Sequence, residues 1–191
     1  MGVREEEHHR ADALRNRAAL LDAAAEVLAE APQASVAEVA TRAGLGRATL
    51  YRHFDSRGAL LGAIREEALA RARAAINGVD LSDCDTREGI RRTVRTLLPL
   101  GVRFRILLAD GSDADADFVA ARNEALAPLW SVLTRGVASG ELSRTANTGW
   151  LGMVLAALLM TAVRATSAGV IDAAEAADQV ADTFLDGFGT T

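Results

Sequence analysis

An all-α protein of about nine helices is the fold that the helical spacing of apolar residues predicts for this 191-residue sequence. Three observations lead there. Apolar residues recur at i, i+3, i+4 and i+7 along nearly the whole chain, and no segment reads as a strand. Aromatic residues make up 4% and there are three prolines, while alanine and leucine dominate, a mix that disfavours sandwiches and barrels. Glycine, proline and capping residues stand where the periodic stretches stop. With 50% hydrophobic and 25% charged residues the composition is globular, and a chain of this length buries enough surface to need no disulfide. Cys84 is the one cysteine, which excludes an intramolecular disulfide and a cysteine-based zinc site.

The first helix is expected over 12–31, with Leu14, Leu20, Leu21, Ala24, Val27 and Leu28 facing inward and Pro32 ending it. Ser35 to Glu38 reads as a capping box. It opens a second helix with Val36, Val39, Ala40 and Ala43 inward, and Gly44 suits a left-handed exit. After a turn of about three residues, a short third helix runs from Arg47 to His53 or Phe54. Ser56 caps a fourth helix that reaches about Ile76, with Leu60, Leu61, Ile64 and Ala68 inward. Residues 77–85 read as a loop, and the domain border falls after residue 75.

Asp85 caps the next helix, to about Leu98, and Pro99 and Gly101 interrupt it before a short segment to Leu108. An acidic loop from Asp110 to Asp117 precedes a helix over 118–139 with Pro128 as a kink. An apolar helix over 148–168 ends at Gly169, and Asp172 opens a last helix to about Phe188. Residues 1–10 form a charged tail with no apolar core segment, so no export signal is read there. The apolar stretch from Gly149 to Val163 is fifteen residues, short of the ~20 that span a bilayer. The expectation is therefore a cytoplasmic protein with no membrane partner.

The net charge of −5 argues against a nucleic-acid binder only if charge is even along the chain. It is uneven. All 21 basic residues are arginine; residues 1–75 balance eleven of them against eleven acids, and 76–191 set ten against fifteen. Within 42–57, Arg42, Arg47, Arg52 and Arg57 face Asp55 alone.

That stretch lies in a helix-turn-helix layout over 35–54. At about 100° per residue, Leu50 and Phe54 anchor the third helix inward and Arg52 points directly away. Ala48 and Thr49 share the outer face, Tyr51 and His53 flank it, and Arg47 sits in the first turn. No acid occurs between Arg47 and Phe54. Arg donates paired hydrogen bonds to guanine O6 and N7, and a Thr methyl touches a thymine methyl. Hydroxyl, imidazole and further Arg groups position the frame on phosphates, with Arg57 and Ser35 clamping the backbone from two sides. A solvated arginine-rich face is the plain alternative for the same pattern.

The run SVAEVATRAGLGRATLYRHFDSRGALL from Ser35, with RAALLDAAAEVL from Arg17 before it, resembles the DNA-binding domain of TetR-family transcriptional regulators. The resemblance covers about 11–75, and Thr49 to Phe54 followed by Ser56 and Arg57 carries most of it. It implies a homodimer: a three-helix DNA-binding domain over 11–75, hung from a fourth helix, and an effector-binding and dimerisation domain over 76–191. By residue match, Arg47 and Thr49 reach bases, Tyr51 and His53 grip phosphates, Arg52 is at a variable position, and Arg57 stands where lysine is usual at a phosphate. Gly46 stands where a capping serine is common, which softens the start of the third helix.

No motif in 76–191 matches residue by residue. Phe104, Arg122, Trp130, Trp150 and Met153 have the chemistry for an effector pocket, mostly apolar with few polar groups. The apolar helix must be covered on both faces, so a partner chain is expected against Val154, Leu158 and Thr161 and against Val180 and Phe184 of the last helix. A two-fold dimer sets two third helices about one DNA turn apart, or a multiple, on a palindromic operator. The function expected is a repressor released by a small hydrophobic or amphipathic effector; an effector-free architectural DNA-binding dimer is the alternative.

Other chemistry is weak. Asp113, Asp115, Asp117 and Glu124 have calcium-loop spacing, but Phe118 stands where that loop needs glycine. His53, Asp55 and Ser56 are too close in sequence for a hydrolytic triad, and no nucleophile turn is present, so no enzyme and no cofactor are expected. His8 and His9 lie in the charged tail, and Cys84 is flanked by Asp83 and Asp85, which disfavour the thiolate.

Overall fold

The apolar periodicity becomes helix in the computed structural model, which describes residues 17–101 and 115–190. Among the described residues there are nine α-helices: α1 (17–30), α2 (Val36–Arg42), α3 (Arg47–His53), α4 (Arg57–Asn77), α5 (Thr86–Leu97), α6 (Ala116–Ala125), α7 (Ala127–Ser139), α8 (Thr148–Ser167) and α9 (Ala173–Phe188). A 3-10 turn, Leu98–Leu100, follows α5. The expected short segment to Leu108, most of the acidic loop, Leu14 and the N-terminal tail lie outside the described residues.

The helix starts follow from their caps. Ser35 Oγ accepts from the Glu38 amide while the Glu38 carboxylate accepts from the Ser35 amide, so the box before α2 is complete. Asp85, Asp115, Asn147 and Asp172 cap α5, α6, α8 and α9 through their side chains. Gly44, Gly140 and Gly169 follow helix ends at positive φ, the conformation that a Cβ disfavours.

One expectation changes. The helix read over 118–139 is two helices, because the chain breaks at Leu126 and Pro128 sits in the first turn of α7. A proline is accommodated there, since the amide it lacks has no partner inside the helix.

The packing divides the chain within α4, into residues up to Ala68 and residues from Leu69, whereas the sequence reading places the border after residue 75. In the first unit, Leu21, Ala24 and Ala25 of α1, Val39 and Ala40 of α2, Leu50 and Phe54 around α3, and Leu60 and Ile64 of α4 are buried. In the second, α9 packs on α8 and α5, and α7 packs on α5 and α8. Close crossings are set by glycine: a Cβ on Gly152 of α8 would stand 2.2 Å from the Trp130 ring of α7, and one on Gly136 2.5 Å from Thr86. Two ion pairs, Arg91 with Asp182 at 2.6 Å and Arg95 with Asp178 at 2.6 Å, run along the α5–α9 seam. After α9, Gly189 forms an isolated antiparallel bridge with Leu142.

α8 is twenty residues, longer than its fifteen-residue apolar core, and with mean hydropathy 1.5 it is long and apolar enough to cross a membrane by length and composition. Its inner face carries Leu151, Leu155, Leu159 and Val163, all buried in the second unit. Only 28% of its apolar window is buried within the chain, which leaves an outer face uncovered.

Candidate nucleic-acid interface

α2 and α3 meet across a tight turn whose hydrogen bonds explain its sequence. The Leu45 amide donates to Ala40 O at 2.8 Å and the Gly44 amide to Thr41 O at 3.3 Å, the paired pattern of a left-handed helix exit, with Gly44 at φ +67°. Gly46 then stands at the N-cap of α3 with no side chain to cap it.

α3 has seven residues, too few to hold a helix alone in water. Its conformation depends on anchoring. Leu50 is 0% exposed and Phe54, its C-cap, is 4% exposed, while the Phe54 amide donates to Leu50 O at 2.9 Å. The Arg17 guanidinium of α1 lies 5.9 Å from the Phe54 ring centre, a contact the sequence pattern does not reveal.

The anchoring turns a polar face outward. Arg47, Ala48, Tyr51, Arg52 and His53 are all exposed, Tyr51 by 47%. Thr49 is half-buried, with its Oγ1 3.2 Å from where a Cβ on Gly46 would stand. Arg47 Nη2 donates to Thr41 Oγ1 at 3.2 Å, so Thr41 at the end of α2 holds that guanidinium across the turn. Sequence reasoning did not single out Thr41, because its meeting with Arg47 depends on the turn. Ser35 is exposed in its capping box. The box holds the Glu38 carboxyl below its ordinary value, first because the Ser35 amide donates to it.

Arg57 is half-buried, and its guanidinium is occupied: Nε donates to Ala34 O at 3.3 Å and Nη2 to Pro32 O. It serves the turn before α2.

The second unit separates the residues read as effector contacts. Phe104 lies outside the described residues. Arg122 of α6 is half-buried. Trp130 is half-buried with its ring on Gly152, and its Nε1 is buried with no hydrogen-bond partner. Trp150 and Met153 point away from the chain's own core, 55% and 67% exposed. With Ala157, Thr161 and Arg164 they make an outward stripe along α8. They share that outward side with Thr161, one of the residues read as interface, whereas the Trp130 ring lies against Gly152. Val154 and Leu158 are half-buried beside that stripe, and Thr161 is on it.

Val180 and Phe184 need correcting. Phe184 is fully buried and Val180 nearly so inside this chain, because α9 turns them toward α5 and α8; neither offers surface to a partner. A described cleft of about 280 Å³, lined by Thr86, Arg87, Ser139, Glu141, Leu185 and Thr190 among others, includes none of the effector residues. Among the described residues no group of three or more His, Cys, Asp or Glu is arranged to hold a metal.

Residues 20–64 match the family model described as bacterial regulatory proteins, tetR family. The chain is 38% identical over 87 residues to the HTH-type transcriptional repressor LfrR of Mycolicibacterium smegmatis, a match spanning 46% of this chain and 46% of that protein, about half of each. The fold is similar over far more. The crystal structure of the TetR-like transcriptional regulator LfrR from Mycobacterium smegmatis in complex with proflavine is 28% identical, with a TM-score of 0.70 over 93% of this chain and 99% of that one. The TetR family regulator PfmR from Thermus thermophilus is 25% identical, with a TM-score of 0.65 over 87% and 97%. A TetR family regulator from Marinobacter aquaeolei, at 21% identity and a TM-score of 0.67 over 95% and 100%, shares the fold. Residues 20–64 thus match the DNA-binding domain of the tetR family, and the fold as a whole is similar, nearly end to end, to those of TetR-like transcriptional regulators.

Proposed function

We propose that this protein is a cytoplasmic, homodimeric repressor that lays α3 of each protomer in the major groove of a palindromic operator and is released by a small organic effector. One observation carries the reading: α3 exposes Arg47, Tyr51, Arg52 and His53 on a surface without a single acid, while Leu50 and Phe54 hold it down. Arg47 and Thr49 face bases, Tyr51 and His53 face phosphates, Arg52 serves either, and Ser35 meets the backbone at the start of α2. Arg47 exchanges its bond to Thr41 for a base edge at little net loss, since one hydrogen bond replaces another.

The outward stripe of α8 supports dimerisation. Trp150 and Met153 are large, apolar and exposed, a pattern that marks an interaction surface. Trp130 supports an effector site, because a buried donor with no acceptor invites a ligand that brings one. The complex of LfrR with proflavine supports a planar aromatic effector with polar edges. Coupling runs through α4: Arg135 of α7 donates to Leu81 O at 2.7 Å, Arg92 of α5 to Asp80 O at 2.9 Å, and Arg73 of α4 pairs with Glu124 of α6 at 3.1 Å. Movement at the effector site is thereby passed to the end of α4 and the loop after it. The size of the response is bounded by the effector's differential affinity for the two states.

Selection of bound duplexes from a random pool tests the reading. A two-fold symmetric consensus, with half-sites one DNA turn or a multiple apart, is expected. No enrichment at low ionic strength refutes it. Adding proflavine or other acridines to the complex then separates an effector-released repressor from an effector-free DNA-binding dimer.

A further inference from the structure

Arg57 begins α4, and Phe54, Asp55 and Ser56 are all that separate it from the end of α3. Its guanidinium bridges Ala34 O and Pro32 O in the turn between α1 and α2. No backbone amide among the described hydrogen bonds reaches either carbonyl. Arg57 therefore joins the residue just before the α2 cap, Ser35, to the chain just after the α3 cap, Phe54. The two ends of the helix-turn-helix are tied together by one side chain.

The chemistry favours arginine for that task. A guanidinium is a planar fork with donors in fixed directions, so it spans two carbonyls at once; a lysine ammonium is a point charge on a flexible stem. α3 is too short to hold its own direction, and within it only Leu50, with Phe54 at its C-cap, is buried. A tie between the chain before α2 and the chain after α3 restricts that angle.

We propose that Arg57 is a positioning residue for DNA recognition: it closes the helix-turn-helix end to end and sets the presentation of α3, instead of meeting a phosphate. This rests on the DNA-binding reading of α3 given above.

The experiment compares the full-length protein with Arg57→Lys and Arg57→Gln. Two probes are used, a duplex recovered by selection with the wild-type protein and a random-sequence duplex of equal length. Both variants should lose about tenfold in affinity for the selected duplex, the scale of a charge-assisted hydrogen bond left unmade. Affinity for the random duplex should stay within about twofold, and the slope of log affinity against log salt should be unchanged, because no counterion-releasing contact is removed. In the free protein, hydrogen exchange at the Ala34, Ser35 and Glu38 amides should quicken in both variants.

A phosphate contact gives the opposite pattern. Arg57→Lys then restores full affinity, and Arg57→Gln weakens both duplexes and lowers the salt slope by about one per protomer. That result, or unchanged exchange at the three amides, overturns the proposal. Failure to enrich any duplex overturns the DNA-binding reading and the positioning role with it, while exchange in the free protein reports on the clamp separately.

Discussion

Leu50 and Tyr51 are neighbours on α3 with opposite jobs, and replacing each by alanine separates them. Leu50 is 0% exposed and is the buried residue of α3, whereas Tyr51 is 47% exposed. Leu→Ala in a core costs about 2.7–5 kcal/mol, depending on how far the surroundings collapse. A seven-residue helix between two turns has freedom to settle, which places Leu50→Ala near the lower figure, about 3 kcal/mol. Against a domain stability of about 5–15 kcal/mol that is a large fraction. The loss falls first on α3, whose local opening should become about a hundredfold more frequent. Tyr51→Ala should change stability by less than about 0.5 kcal/mol and yet weaken binding to every duplex by a similar factor, with the salt slope unchanged because a neutral phenol releases no counterion. Urea denaturation gives the global values, and hydrogen exchange at the Phe54 amide, which donates to Leu50 O, gives the local one. The anchoring argument fails if Leu50→Ala costs under about 1 kcal/mol, if Phe54 exchange does not quicken, or if Tyr51→Ala is the more destabilising change.

Gly44→Ala should cost about 1 kcal/mol in thermal denaturation: an added Cβ would meet no atom beyond its chain neighbours within 4 Å, so only the positive φ is penalised, partly offset by a stiffer unfolded chain. Gly152→Ala gains helix propensity of about 1 kcal/mol but drives a methyl into the Trp130 ring, so a net loss of about 1–2 kcal/mol and a shifted Trp130 emission are expected in a Trp150→Phe background; net stabilisation would contradict the packing. Met153→Glu puts a charge on the outward stripe of α8 and should convert dimer to monomer in sedimentation, leaving the helical spectrum unchanged. Glu38 contributes capping stability above its ordinary value of 4.5, and that contribution is lost as pH falls below it toward the lowered folded value; Glu38→Gln should flatten that part of a melting-temperature profile against pH.

The helix-turn-helix was legible because its cues are local. The Ser35–Glu38 box, Gly44 and the spacing of Leu50 and Phe54 each act within one or two turns of helix, and each appears in the structure where the spacing puts it. The exposed face of α3 follows from the same periodicity. The effector and interface residues were less legible. Trp150 and Met153 carry the composition of pocket residues, but composition does not say which way a residue faces on a helix that is apolar nearly all round. Phe184 looked like interface for the converse reason, its stripe on α9 being taken up by α5 and α8 of its own chain.

Short-range chemistry, written into neighbours along the chain, determined where the helices begin and end, that one small helix carries cationic groups outward, and the resemblance of the helix-turn-helix to that of TetR-like regulators. Tertiary structure decided what meets across long separations: Arg57 on the carbonyls of Pro32 and Ala34, Trp130 against Gly152, Arg135 on the carbonyl of Leu81. Such pairings depend on the angle at which two helices cross, which side-chain volume sets at the crossing and which no periodicity along one helix encodes.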